Sequence, residues 1–231
     1  MTDQRSIDVA GVRLAYRLSG PVDAPPLVLL HGLGAGAADW DGVLPALARR
    51  HRVHALDLRG HGDSDWPGAY SLELLRDDVL GLLDALGLER VDLVGHSLGG
   101  VVAYLVAAER PGHVGRLVLE DVPLPRPRVP TRPTRPDGPL AFDWEMVLAL
   151  RKQLDTPPVE WLDQLGAITA QTLVIAGGPD SHIPQDGVAE LARTVRNGRL
   201  VTIPAGHLVH ATAPDAFLTA VLDFLHLHPS G

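Results

Sequence analysis

Short apolar runs alternate along the chain with longer stretches in which apolar residues recur at helical spacing. The runs that predict strands cover residues 6–9, 12–18, 26–30, 52–57, 90–94, 116–120, 172–176 and 199–203. Helical spacing predicts helices at 40–47, 72–86, 98–109, 187–195 and 215–225. The alternation predicts one α/β domain over residues 1–231, with a mostly parallel eight-stranded sheet covered by helices on both faces.

The first strands and the first helix carry local signals of their own. Ala10-Gly11 separates the first two runs and predicts a hairpin turn. The alternating pattern of 12–18 predicts a half-exposed edge strand. Asp39 precedes the helix predicted at 40–47, where a short polar side chain is typical of an N-cap.

One insertion, residues 123–168, interrupts the alternation of strands and helices. Its first part, 123–137, carries six prolines and four arginines, and proline excludes both a helix and a central strand there. Two short helical patterns follow, at 142–154 and 159–165. Because the insertion lies between two core strands, we expect a short lid on the sheet. A proline-motif docking site for a partner is the alternative.

The sequence Gly95-His96-Ser97-Leu98-Gly99-Gly100 follows a predicted buried strand and opens a predicted helix. In that context G-x-S-x-G is typical of a nucleophile elbow, a turn too sharp for side chains beside the serine. The helix N-terminus beneath the hydroxyl favours developing negative charge. A glycine-rich turn without chemistry is the alternative, but the strand–turn–helix context favours Ser97 as a nucleophile.

The whole chain resembles the α/β-hydrolase superfamily through several motifs that occur in the family's order. These are the oxyanion loop 31–34, the D-x-R-G-x-G-x-S loop 57–64, the elbow 95–100, the acid loop 178–184 and the histidine loop 206–210 with Pro214 after it. The resemblance implies the family's fold, which agrees with the alternation of elements, and a serine hydrolase that needs no diffusible cofactor.

The serine needs an adjacent base, because its hydroxyl is a poor nucleophile at neutral pH. His207 follows the last predicted strand and lies at the same sheet edge as Ser97. His210 is its nearest rival, but the family's pattern makes the first histidine of this pair catalytic. We therefore expect His207 to be the general base and His210 to be structural.

Four other histidines lie close to these motifs in the sequence. His96 adjoins the nucleophile but is expected to point away from it. His31 is expected to support the oxyanion loop, and His61 the loop that follows. His182 is unusual beside the acid loop, where an apolar residue would be less surprising.

The third catalytic residue, an acid, has two candidate places at the carboxyl edge of the sheet. Glu120 and Asp121 follow the strand after the nucleophile helix, and Asp180 follows the next strand. Asp180 lies in a turn-rich loop and preserves the chain order Ser, Asp, His that this architecture shows. We therefore favour Asp180 as the acid and keep Glu120 and Asp121 as the alternative.

The remaining site residues concern the oxyanion and the acyl group. The resemblance implies an oxyanion hole made by the backbone amides of Leu33 and Leu98. A group of apolar side chains could line an acyl pocket or pack in the core or lid. Its members are Trp40, Phe142, Trp144, Trp161 and Leu208.

Composition narrows the classes of function. The formal net charge of −8 argues against nucleic acid and against an anionic membrane surface as the main partner. The chain has no cysteine, which excludes thiolate catalysis and cysteine-ligated zinc, and no spacing typical of a metal site occurs among the histidines. The N-terminal residues lack an apolar signal region, so a cytoplasmic location is expected.

These observations lead us to expect hydrolysis of a carboxylic ester, thioester or lactone, with a small acyl compound as substrate. The alternatives are C–C bond hydrolysis, acyl transfer, a perhydrolase or a lyase on the same fold, and a slow-turnover binding receptor. The sequence identifies neither the substrate nor the oligomeric state.

Overall fold

Eight strands form one sheet in the computed structural model, which describes residues 2–226; Met1 and 227–231 of the predicted domain lie outside the described residues. The strands are β1 Asp3–Val9, β2 Val12–Ser19, β3 Pro26–Leu30, β4 Arg52–Leu56, β5 Val91–His96, β6 Val114–Glu120, β7 Gln171–Ala176 and β8 Gly198–Thr202. Their order is β1-β2-β4-β3-β5-β6-β7-β8, and only β1 and β2 run antiparallel to their neighbours. The predicted fold class is confirmed.

Helices cover both faces of this sheet. They are α1 Leu44–Leu47, α2 Leu72–Ala85, α3 Leu98–Glu109, α4 Trp144–Asp155, α5 Val159–Gln164, α6 Gln185–Thr194, α7 Val209–Thr212 and α8 Pro214–His226. Buried residues of α2, α3 and α6 pack in one core cluster with those of α4 and α5, and those of α1 and α8 pack in a second cluster. The parallel strands β3 to β7 therefore lie between two apolar layers, as their continuous apolar runs require, and the edge strand β8 is more exposed.

Several local expectations change. The hairpin at Ala10-Gly11 is confirmed, with φ of 51° and 82° at the two residues, as a primed turn needs. The expectation of an edge strand at 12–18 is wrong, because β2 lies between β1 and β4 and β1 forms the edge. The segment before α1 is a 3₁₀ helix, Ala37–Gly42, and Asp39 lies inside it rather than at its N-cap. The short helix α7 was not predicted.

The insertion between β6 and β7 is attached to the loop that follows β4. The amide of Gly62 donates to the Ala141 carbonyl at 2.8 Å, and the amide of Asp143 donates to the Gly60 carbonyl at 2.8 Å. The Tyr70 hydroxyl donates to the Asp143 carboxylate at 2.6 Å. The segment between β6 and these attachments has no helix or strand, as its prolines predict. These bonds hold the start of α4 against the loop that follows β4.

None of the helices within residues 2–226 combines the length and the apolar composition needed to cross a bilayer.

The imidazole of His54 on β4 is a buried polar group that has no hydrogen-bond partner among residues 2–226. It is 5% exposed, neither ring nitrogen is hydrogen-bonded, and the ring stacks on Tyr16 at 5.8 Å between centroids. Burial, followed by the charges of Arg52 and Arg5, lowers the pKa of His54 from 6.5 to about 4. The folded protein therefore holds His54 neutral where the unfolded chain would protonate it.

We expect His54→Phe to flatten the dependence of stability on pH. Between about pH 6.5 and 4 the unfolded state binds a proton at His54 that the folded state does not, so the free energy of unfolding falls as pH falls. This contribution is on the order of 2 kcal/mol at acidic pH and disappears in the variant. Urea unfolding at several pH values measures it, with His113→Phe, at a half-exposed histidine, as the control. Equal slopes in wild type and His54→Phe would contradict the assignment.

Candidate active site

Ser97 occupies the sharp turn between β5 and α3. Its φ of 50° and ψ of −113° lie in a region that a non-glycine residue rarely adopts. A side chain at Gly95 would overlap the Gly99 carbonyl, and one at Gly99 would overlap the Leu30 carbonyl, so the turn requires glycine on both sides. The Ser97 amide donates to the Glu120 carbonyl at 3.0 Å, which ties the strained residue to β6.

His207 follows β8 and lies at the same edge of the sheet as Ser97. Its Nδ1 is 2.7 Å from Oδ2 of Asp121. A carboxylate only accepts, so Nδ1 carries the hydrogen and Nε2 is left to accept a proton. The His207 carbonyl accepts a hydrogen bond of 3.0 Å from Nε2 of His96, the residue before Ser97. The two residues expected to react are thus held together through their neighbours.

The structure corrects the expectation for the acid, because Asp121 and not Asp180 is paired with His207. Asp121 directly follows β6 with φ of 52°, and this turn directs its buried carboxylate into the sheet edge. Asp180 lies at an exposed turn, in which the Ser181 amide donates to the Gly178 carbonyl at 3.1 Å. The acid loop contributes hydrogen-bond donors to Asp121 instead of contributing the acid.

The Asp121 carboxylate accepts hydrogen bonds from four groups. Besides His207, these are the Gly177 amide at 3.0 Å, the Gln185 side-chain amide at 2.9 Å and the Ser181 hydroxyl at 2.5 Å. Burial raises the pKa of Asp121, but the hydrogen bonds from His207, Ser181, Gln185 and Gly177 outweigh it and hold the pKa below its ordinary value. The carboxylate therefore stays ionised in a buried place.

Glu120, the other alternative for the acid, is occupied by a different histidine. Its buried carboxylate accepts from Nδ1 of His210 at 2.8 Å and from the His210 amide at 2.8 Å. The two consecutive carboxylates at the end of β6 thus bind two histidines that are three residues apart. His210 lies buried in α7, as expected of a structural residue.

The oxyanion loop 31–34 packs against the elbow. A Cβ at Gly32 would lie 3.6 Å from Cβ of Ser97, so the loop backbone passes close to the serine. Leu98 is the first residue of α3, and its amide consequently has no acceptor within the helix. Among the described residues, the Leu33 amide also donates to no backbone carbonyl. Both amides proposed for the oxyanion are therefore free to bind a ligand oxygen.

Two neutral histidines connect this loop to the loop 57–64, and His61, which was expected to support the loop 57–64, also binds the oxyanion loop. Nε2 of His31 accepts from the Leu58 amide at 3.1 Å, and Nε2 of His61 accepts from the Gly34 amide at 3.1 Å. An imidazolium has no acceptor atom, so both rings must be neutral to make these bonds. Burial lowers the pKa of His31 to about 4 and that of His61 to about 3, consistent with that state.

The apolar residues considered for an acyl pocket separate into two groups. Trp40 is fully buried against His210 and Phe217, with ring centroids 4.4 and 6.2 Å away, and Trp161, in α5 of the insertion, is buried in a core cluster. These two are core residues, and assigning them to the pocket was wrong.

The other three pocket candidates are not fully buried. The ring of Phe142 is 3.2 Å from the place that a Cβ at Gly34 would occupy, at the oxyanion loop. Trp144 is half-buried in the first turn of α4, and Leu208, next to His207, is 43% exposed. Phe142, Trp144 and Leu208 therefore stay candidates for contact with a substrate.

His182 contacts the expected base, a contact that the sequence did not reveal. Its ring lies edge-on to His207 with 4.3 Å between centroids. Burial, followed by the charge of His207, lowers the pKa of His182 below its ordinary value. The only available signal was a histidine at an unusual place beside the acid loop. Within the described residues, no group of three or more histidines and carboxylates is arranged to hold a metal ion.

Comparisons with known proteins agree with this fold. A family model described as the alpha/beta hydrolase fold matches residues 25–152. The sn-1-specific diacylglycerol lipase ABHD11 of Mus musculus is 29% identical over 96% of this chain and 88% of its own length. A hydrolase from Pseudomonas aeruginosa PA01 is 31% identical with a TM-score of 0.78, covering 97% of this chain and 99% of that chain. The enol-lactonase from Burkholderia xenovorans LB400 is 26% identical with a TM-score of 0.84, covering 96% and 100%.

We expect Asp121→Asn, but not Asp180→Asn, to change the hydrogen bond at Nδ1 of His207. An Nδ1 proton shared with a buried carboxylate gives a low-field proton resonance, since the bond is charge-assisted and shielded from water. That resonance is expected in wild type and in Asp180→Asn and is lost in Asp121→Asn. Proton NMR on ¹⁵N-histidine-labelled protein measures it. Loss of the resonance in Asp180→Asn alone would restore Asp180 as the partner.

Proposed function

The chain belongs to the α/β-hydrolase fold family, and from this premise we propose that it is a serine hydrolase acting on a carboxylic ester, thioester or lactone through an acyl-enzyme. The observation that carries the proposal is the strained Ser97 at a sheet edge shared with His207, whose Nδ1 is held by Asp121. A strained serine turn and a tautomer held by a buried carboxylate are what nucleophilic catalysis by serine requires.

The first half of the proposed reaction forms the acyl-enzyme. Nε2 of His207 takes the proton of the Ser97 hydroxyl as Oγ attacks the carbonyl carbon. The oxygen of the tetrahedral intermediate receives hydrogen bonds from the amides of Leu33 and Leu98, and the N-terminus of α3 adds a positive dipole. The intermediate then collapses, the bond to the alcohol, thiol or enol breaks, and His207 gives its proton to the leaving group.

The second half returns the enzyme to its starting state. A water molecule gives one proton to His207 and attacks the acyl carbon, and the bond to Ser97 Oγ breaks as Oγ regains a proton from His207. Asp121 keeps its negative charge throughout. It holds the Nδ1–H tautomer of His207 and stabilises the imidazolium that forms in each half.

The choice of substrate class is supported by the relatives named above. One is named as a diacylglycerol lipase and another as an enol-lactonase, and both names describe hydrolysis of an acyl–oxygen bond. The residues that we propose to contact an acyl group are apolar or aromatic: Phe142, Trp144 and Leu208. We propose a small acyl compound as the substrate, with no diffusible cofactor.

The test is a set of p-nitrophenyl esters of graded acyl length, assayed beside acyl thioesters and lactones. We expect steady turnover of at least one class and a loss of roughly 10⁴-fold or more in kcat for Ser97→Ala, because the nucleophile is gone. Ser6→Ala, at an exposed serine of β1, is the matched control and keeps wild-type rates.

Two outcomes would contradict the proposal. A single burst of product without further turnover would indicate a receptor that is acylated but does not turn over. Unchanged rates in Ser97→Ala would show that another group is the nucleophile.

A further inference from the structure

We propose that His210 is a positioning residue which, with Glu120 and Asp39, forms a buried ionic cluster that keeps the base and the oxyanion side of the site aligned. The inference rests on the proposed function, because it assigns a role in the reaction of Ser97 and His207. His210 contacts neither of the reacting atoms in that scheme. Its role is to act through the residues around it.

The first argument is the pairing of neighbouring carboxylates with neighbouring histidines. Glu120 and Asp121 are consecutive, and His207 and His210 are three residues apart on the segment that enters α7. Nδ1 of His207 is 2.7 Å from Asp121, and Nδ1 of His210 is 2.8 Å from Glu120. Glu120 directly precedes Asp121, so the Glu120–His210 pair lies next to the Asp121–His207 pair. It therefore restricts how far His207 can move relative to Asp121.

The second argument is that His210 also reaches the oxyanion side. Its Nε2 lies 3.3 Å from Oδ2 of Asp39, an ion-pair contact whose alignment is poorer than that of a full hydrogen bond. Asp39 belongs to the 3₁₀ helix Ala37–Gly42, which begins three residues after the oxyanion loop 31–34. The Trp40 ring of the same helix packs on His210 with 4.4 Å between centroids. One imidazole therefore connects the 3₁₀ helix, the end of β6 and α7.

The third argument concerns charge. A neutral imidazole carries one N–H, whereas His210 has a carboxylate oxygen at each ring nitrogen, so the imidazolium fits the geometry and the neutral ring does not. Burial lowers the pKa of His210, but the polar contacts and the charges of Asp39 and Glu120 outweigh it and raise the pKa to about 9. Glu120 is fully buried, and a buried carboxylate without a cation is strongly destabilising.

The cluster also explains why Glu120 and Asp121 bind different histidines. Because Glu120 is bonded to His210, it does not compete with Asp121 for His207. The backbone carbonyl of Glu120 accepts the Ser97 amide at 3.0 Å, so movement of Glu120 would be transmitted to the nucleophile. Loss of the His210 charge is therefore expected to displace both Ser97 and His207.

The pH dependence follows from the groups that face His210 on every side. These are Glu120 from β6, Asp39 from the 3₁₀ helix and His96 from β5, together with the uncharged rings of Trp40 and Phe217. Burial lowers the pKa of His96, so it adds no positive charge near neutral pH. Deprotonation of His210 as pH rises through about 9 removes the cation of the cluster, and activity is expected to fall there.

The experiment compares kcat, KM and the pH profile in variants of the cluster. His210→Gln keeps a hydrogen-bond donor for Glu120 but loses the charge; we expect kcat to fall roughly 10- to 100-fold, with little change in KM, as for other residues that orient a catalytic group. The alkaline fall in activity is absent in this variant. Glu120→Gln combined with His210→Gln is expected to cost no more than the larger single effect, because the residues act as one unit.

Two further variants separate positioning from a loss of stability. Asp39→Asn removes one carboxylate from His210, so the alkaline fall in activity moves to lower pH while Glu120 stays paired. This second variant also serves if His210→Gln does not fold. The control is Asp78→Asn on α2, which breaks the buried ion pair between Asp78 Oδ2 and Arg59 Nε, 2.5 Å apart. We expect this variant to lower the unfolding temperature and to leave the pH profile unchanged.

The outcomes distinguish this inference from the proposed function. Wild-type kcat and pH profile in His210→Gln, or an unmoved alkaline limb in Asp39→Asn, would overturn the inference and leave the proposed function standing. If the wild-type protein hydrolyses nothing, the proposed function fails. The inference is then tested by ¹⁵N-histidine NMR. A neutral His210 at pH 7 overturns it. An imidazolium at His210 supports it if deprotonation of His210 also abolishes the His207 Nδ1–H resonance.

Discussion

The buried carboxylate of Asp121 is the interaction on which the geometry of this site depends. It accepts hydrogen bonds from His207, from Gly177 and Ser181 of the loop after β7, and from Gln185 of α6. Three separate segments are therefore fixed to the end of β6 by one negative charge. Because these bonds outweigh the effect of burial on its pKa, the charge persists, and so does the tautomer of His207.

This arrangement requires unfavourable backbone conformations at two residues. Ser97 and Asp121 both have φ near 50°, a conformation that non-glycine residues adopt only when the surroundings impose it. Here the surroundings are the parallel strands β5 and β6, whose register pairs His96 with Glu120 and brings the two turns side by side. The apolar layers pack on the two faces of these strands, and the groups that we propose to react lie at the carboxyl ends, where sites in open α/β sheets are found.

Much of the fold could be predicted because strands that are buried on both faces have continuous apolar runs in the sequence. The elbow at Ser97 could be predicted because only glycine fits beside it. The carboxylate partner of His207 could not, since Asp121 and Asp180 both follow a strand in the sequence, and the choice depends on a positive φ at Asp121 that is visible only in the structure. Trp40 and Trp161 show the same limit, because an aromatic ring in the core and one in a pocket have the same local pattern. The pairing of His210 with Glu120 joins residues 90 positions apart and needs the tertiary structure.

The most direct test of this account is a crystal structure of the protein after reaction with an alkyl fluorophosphonate, whose phosphonyl group mimics the tetrahedral intermediate. The account predicts phosphorus bonded to Ser97 Oγ, with its oxygen within about 3 Å of the Leu33 and Leu98 amide nitrogens. It also predicts that Nδ1 of His207 still faces Asp121. Phosphorus on another residue, an oxygen directed away from both amides, or His207 paired with Asp180 would contradict it.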